Sequence, residues 1–70
     1  MKKISILIAG QHQTSICLEE EFLQAFDDIC QIQGKSRNSI ITEIDKERGN
    51  KNLSSAIRVF VLNYYIGKHK

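Results

Sequence analysis

The 70-residue sequence contains no proline, only two cysteines and two histidines, and no low-complexity tract. With 41% hydrophobic and 26% charged residues and no biased segment, the chain reads as globular rather than disordered. Cys17 and Cys30 come without a clear secretory signal and read as reduced thiols serving as small apolar side chains. His12 and His69 stand at opposite ends, and no C-x-x-C or H-x-x-x-H spacing occurs, so no structural metal is expected. No apolar run is long enough to span a bilayer. Met-Lys-Lys before ISILIA has the charge order of a signal peptide, but the apolar run is six residues and opens into Gln-His-Gln. Export is therefore not expected, and the cytoplasm is. Glu19, Glu20 and Glu21 fall in the first turn of a predicted helix, where they point in different directions and complement the helix dipole. With no nucleophile, glycine-rich phosphate loop or metal-ligand spacing beside them, neither catalysis nor a cofactor is expected.

What is present is unevenly distributed. The net charge is only +2, yet residues 19–33 hold five acids and no base, while residues 34–70 hold eight bases against three acids. Such segregation predicts a positive face on the folded protein. Seventy residues make one domain, 1–70, near the size at which a single chain struggles to bury a sufficient core.

In residues 12–18, HQTSICL, Thr14, Ile16 and Leu18 alternate with Gln13, Ser15 and Cys17, the period of a half-buried strand. Residues 1–11 form an N-terminal arm or an extra strand, since Ile4, Ile6 and Ile8 alternate but Leu7 and Ala9 fill the other face. A fold-back of 4–8 on 13–18 through Ala9, Gly10 and Gln11 is the lesser reading, and Lys2 and Lys3 read as solvated lysines of the arm. From 19 to 33 the period is helical, with Phe22, Ala25, Phe26, Ile29 and Cys30 on one face, and Gly34 ends the helix. Ser36 then caps a second helix, 36–48, carrying Ile40, Ile41 and Ile44. Asn52 or Ser54 caps a third, 53–66, apolar nearly all round, which points to another chain against it.

Three stretches, ILIAGQHQTSICLEEEF, TEIDKERG and NLSSAIRVFVL, are similar to the pattern of short bacterial members of the ribbon-helix-helix family of DNA-binding proteins, the family of the Arc and MetJ repressors. The likeness covers about residues 6–62. It implies a mainly α fold in which one N-terminal strand pairs antiparallel between two protomers, followed by two helices and here a third. The strand's missing ladder partner is then a second copy, and the dimer core draws on Thr14, Ile16, Leu18, Phe22, Phe26, Ile40, Ile41 and Ile44.

The resemblance further implies that Gln13, Ser15 and Cys17 face the bases of double-stranded DNA and that Lys35, Ser36, Arg37 and Asn38 hold phosphate, with backbone contacts from Lys2 and Lys3 of the arm as a lesser reading beside the solvated one. Gln suits adenine, Ser several bases, and Cys offers a small surface to a thymine methyl. Relatives often carry Arg or Lys among the ribbon positions, commonly just after the His. Here all three are neutral, so charge for DNA has to come from elsewhere. The expected role is a homodimeric repressor or autoregulator, of higher order on DNA where dimers bind in tandem. Two alternatives stay open: an antitoxin-like protein whose segment 53–66 covers a protein partner, and an interaction module that has lost DNA binding.

Overall fold

A computed structural model describes residues 1–8 and 12–67. Ala9, Gly10 and Gln11, through which the fold-back reading runs, and His69 lie outside the described residues. Five elements follow in order: strands β1 (Lys2–Ile8) and β2 (His12–Leu18), then helices α1 (Glu20–Gln33), α2 (Arg37–Glu47) and α3 (Leu53–Tyr65).

The two strands form an antiparallel hairpin in which Ile4 lies opposite Ile16, Ser5 opposite Ser15 and Ile6 opposite Thr14. This corrects the expectation that β2 finds no ladder partner within its own chain. Residues 2–8 are a strand, and one edge of β2 is satisfied by it. The physical reason lies in the alternation of Ile4, Ile6 and Ile8: once paired, these residues share the side of Ile16 and Leu18 and add to the same core. β1 lies mainly over α2, and β2 over α3.

α1 begins one residue later than the sequence predicts, because Glu19 stands at the N-cap without capping by its side chain. Its far end is set by Gly34, whose φ of 66° is the left-handed conformation that favours glycine, with Lys35 N–H closing onto the Cys30 carbonyl at 3.0 Å. Two residues later the Ser36 hydroxyl accepts the Ser39 N–H at 3.1 Å and opens α2. Asn52 does the same for α3, accepting the Ser55 N–H at 3.3 Å.

The core is one cluster fed by every element: Ile6, Ile16 and Leu18 from the hairpin, Leu23, Phe26, Ile29 and Cys30 from α1, Ile40, Ile41 and Ile44 from α2, and Ala56, Ile57 and Val61 from α3. Phe26 meets Phe60 edge to face, ring centroids 6.1 Å apart. α3 is buried on one side only, and Val59, Leu62, Tyr65 and Ile66 stay exposed, as does Ile32 on α1.

Glu19 reaches across to α3, where its carboxylate accepts from Arg58 Nε at 2.9 Å and Nη2 at 3.4 Å. That hydrogen bond, helped by the guanidinium charge, holds the Glu19 carboxyl below the usual carboxylate range. A depressed native pKa contributes stability that is present above the unfolded-state value and is lost as pH falls through the native one. Glu19→Gln is therefore expected to flatten the fall in melting temperature on acidification below the ordinary carboxylate range, and to shift the melt little more than other surface changes at neutral pH. Thermal melts of both proteins across an acid series check this. For the core, Ile57→Ala is expected to cost about 2–5 kcal/mol by urea unfolding, whereas Ile32→Ala at the exposed end of α1 is expected to stay within about 0.5 kcal/mol.

Candidate nucleic-acid interface

Alternation and register divide the hairpin into two sides. Ile6, Ile16 and Leu18 point into the core, so the residues between them point away from the helices. On that outer side Gln13, Ser15 and Cys17 of β2 are all exposed, the three positions for which the resemblance implies base contact. They are not alone there. Lys3 lies opposite Cys17, Ser5 opposite Ser15 and Leu7 opposite Gln13, and all three are exposed. Of these β1 residues, sequence reasoning offered only Lys3, as a lesser candidate for a backbone contact from the arm, and it placed none of them among the base-facing residues. The signal that could have found them is the Ile4, Ile6, Ile8 alternation, which fixes Lys3, Ser5 and Leu7 outward once β1 is a strand.

The segment with the expected phosphate contacts is brought to the same end of the molecule. Asn38 Oδ1 accepts the backbone N–H of Leu7 at 3.2 Å, which fastens the start of α2 to the outer edge of β1. Ser36 spends its hydroxyl on the helix cap. Arg37 forms a two-pronged pair with Asp27, Nε to Oδ1 and Nη2 to Oδ2 both at 2.7 Å, and Lys35 Nζ stands 3.2 Å from Glu43 Oε2. The Asp27 carboxylate raises the Arg37 pKa further, so the guanidinium is charged throughout. Both cations are thus turned onto acids of their own chain. All four side chains are more than one-third exposed, so the single-contact Lys35–Glu43 pair is weak, while the two short contacts of Arg37 on Asp27 make a firmer pair.

The eight residues implied for the dimer core divide. Ile16, Leu18, Phe26, Ile40, Ile41 and Ile44 are buried within one chain, Phe22 is half-buried, and Thr14 is exposed. Thr14 and His12 border an open cleft of about 560 Å³ between β2 and the junction of α2 with α3, where Arg48 donates to Asp45 at 2.6 Å and to the Lys51 carbonyl at 2.6 Å.

Both cysteines are free thiols, Cys17 exposed and Cys30 buried. Burial, with the nearby Asp27 carboxylate adding to it, pushes the Cys30 thiol up, so it stays protonated and packs as an apolar side chain. Among the described residues no three His, Cys, Asp or Glu side chains gather as a metal site, and no helix is long and apolar enough to cross a membrane.

No curated protein and no solved structure matches the chain. A family profile does: that of the ribbon-helix-helix domain, over residues 1–65. Such domains are a non-enzymatic fold, typically of transcription regulators that bind DNA as dimers. The match takes in the hairpin and all three helices, and with this coverage the chain belongs to the ribbon-helix-helix domain family.

Proposed function

We propose that this protein is a DNA-binding transcription regulator, a repressor or autoregulator, which acts as a homodimer and sets a two-stranded β-ribbon into the DNA major groove. The observation that carries the reading is the outer side of the hairpin, where Gln13, Ser15 and Cys17 of β2 stand exposed and Leu7 of β1, opposite Gln13, is tied to Asn38 at the start of α2. The ribbon residues read base edges, and Lys35, Ser36, Arg37 and Asn38 with the backbone N–H groups at the start of α2 hold phosphate. Two copies call for a two-fold related operator, and tandem dimers multiply the few contacts that one small ribbon makes.

A second reading draws on the apolar residues that α3 leaves exposed, Val59, Leu62, Tyr65 and Ile66, beside Ile32 of α1. It makes the protein antitoxin-like, with that surface covering a protein partner while the ribbon binds DNA. The pairing of Lys35 and Arg37 with acids of the same chain favours a third, an interaction module without DNA binding. Salt dependence separates this last reading from the first, because phosphate contacts release counterions and make affinity fall steeply with salt.

Gln13→Ala is expected to lower discrimination between specific and scrambled duplexes by about 1–3 kcal/mol while leaving folding intact. Lys35→Ala and Arg37→Ala are expected to weaken all duplexes alike and to reduce the salt slope by about one each. Asp27→Asn, which releases the Arg37 guanidinium, is expected to tighten binding to random duplex. Titrations of each folded variant on selected and scrambled DNA across a salt series test all four. Unchanged binding in every variant would overturn the reading.

A further inference from the structure

We propose that β1 stays on β2 when a second copy joins the other edge of β2, and that Lys3, on the outer strand of the resulting four-stranded sheet, holds a DNA phosphate at the rim of the groove. The proposal rests on the DNA-binding reading above and adds a contact to it. The two β2 strands of the dimer remain the ribbon that reads bases.

The hydrogen-bond phase of the hairpin carries the first step. Leu7 N–H points to Asn38 Oδ1 rather than to β2. In an antiparallel pair such a residue and the one opposite it both turn their backbone groups away from each other, and the pattern repeats at every second residue. Leu7 lies opposite Gln13, so Lys3, Ser5 and Leu7 turn their backbone groups to the outer edge of β1, and Gln13, Ser15 and Cys17 turn theirs to the far edge of β2. Among the described residues β1 is the only strand beside β2, so that far edge carries no ladder. A second β2, antiparallel and centred on Ser15, exchanges bonds there between Ser15 and the partner's Ser15 and between Gln13 and the partner's Cys17. All three open residues are then used, and none of the bonds to β1 is broken.

The inner side agrees. Thr14 lies on the same side of β2 as the buried Ile16 and Leu18, yet it is exposed at the cleft of about 560 Å³ between β2 and the junction of α2 with α3. Ile8, Ile16 and Leu53 border that cleft as well. In the register centred on Ser15 the partner's Ile16 falls opposite Thr14 and covers this apolar ground. β1 meanwhile rests on α2, with Asn38 at its outer edge.

Width then places β1 on the DNA. Strands lie about 4.8 Å apart, so the outer backbones of four strands stand about 14 Å apart, against a major groove about 12 Å wide. The two β2 strands lie over the bases, and each β1 lies over a rim, where the phosphates run. Lys3 faces outward there, opposite Cys17, and is exposed. Among the described residues it has no ion-pair partner, whereas Lys35 and Arg37 have one each. A long, exposed ammonium beside a phosphate backbone makes a point-charge contact that is blind to sequence.

Lys2 supplies the control. It precedes Lys3 in the same strand but lies opposite Leu18, on the inner side, and borders a groove with Glu20, Glu21 and Asp27. Duplexes are first selected from a random pool with the wild-type protein. Lys2→Gln and Lys3→Gln are then titrated on a selected and a scrambled duplex across a salt series. Lys3→Gln is expected to weaken both duplexes by the same factor and to lower the salt slope by about one per copy bound. Lys2→Gln is expected to leave the slope unchanged. An unchanged slope with Lys3→Gln, a loss confined to the selected duplex, or an equal fall in slope with both substitutions would overturn the proposal.

A second measurement tests whether β1 stays. Ile8 and His12 lie directly opposite one another on the inner side, so a disulfide formed in Ile8→Cys/His12→Cys holds β1 on β2. The oxidised form is expected to bind the selected duplex within about threefold of the reduced form, a small change on the affinity scale. If locking abolishes binding that reduction restores, β1 has to leave the ribbon and the proposal falls while the DNA-binding reading stands. If the wild-type protein enriches no duplex at all, the DNA-binding reading fails and the proposal with it.

Discussion

The ladder between β1 and β2 is the contact on which the rest of the structure depends. It gives β2 hydrogen-bond partners along one edge, and it brings Ile6 to the core beside Ile16. It also fixes orientation, since a strand with helices under one side presents every second residue on the other. From the hairpin the structure is tied outward, through Asn38 to the start of α2 and through the buried side of β2 to α3. Glu19 and Arg58 then fasten the junction of strand and α1 to the same helix.

Under the proposed function, a chain with a net charge of only +2 has to present a surface that DNA accepts, and the placement of its acids bears on that. Among the described residues no acid stands on the outer side of the hairpin. Asp27 and Glu43 are paired with the two cations nearest the start of α2, and Glu19 is turned to α3. The pairs with Asp27 and Glu43 are open to water rather than buried, the single contact of Lys35 being the weaker and the two-pronged contact of Arg37 the firmer.

Much of this was legible in the sequence, and what was not has a physical cause. The strand at HQTSICL shows itself by period, α1 by its apolar face and Gly34, and α2 by Ser36 and the Ile40, Ile41, Ile44 stripe. These are local signals, and local chemistry decides them. β1 was ambiguous because Leu7 and Ala9 interrupt the polar side of its alternation, and because strand pairing is a contact between segments that no single window contains. The same holds for Arg37 with Asp27 and for Asn38 with Leu7, separated by 10 and 31 residues. Glu19 looked like a third member of an acidic first turn. Its partner, Arg58, lies 39 residues away and meets it only once α3 has packed. The uniform apolarity of α3 likewise did not show which side is covered. Packing chose Ala56, Ile57 and Val61 and left Leu62 and Ile66 in water.

The central claim, that β2 pairs with β1 of its own chain, is tested most directly by isotope-filtered NMR on a mixture of fully labelled and unlabelled chains, with and without bound duplex. The account predicts cross-strand contacts between Ile4 and Ile16, and between Ile6 and Thr14, that arise within single chains in the protein without duplex. Contacts of Thr14 with Ile16 passing between labelled and unlabelled chains, with the Ile4 to Ile16 contact missing, would contradict it.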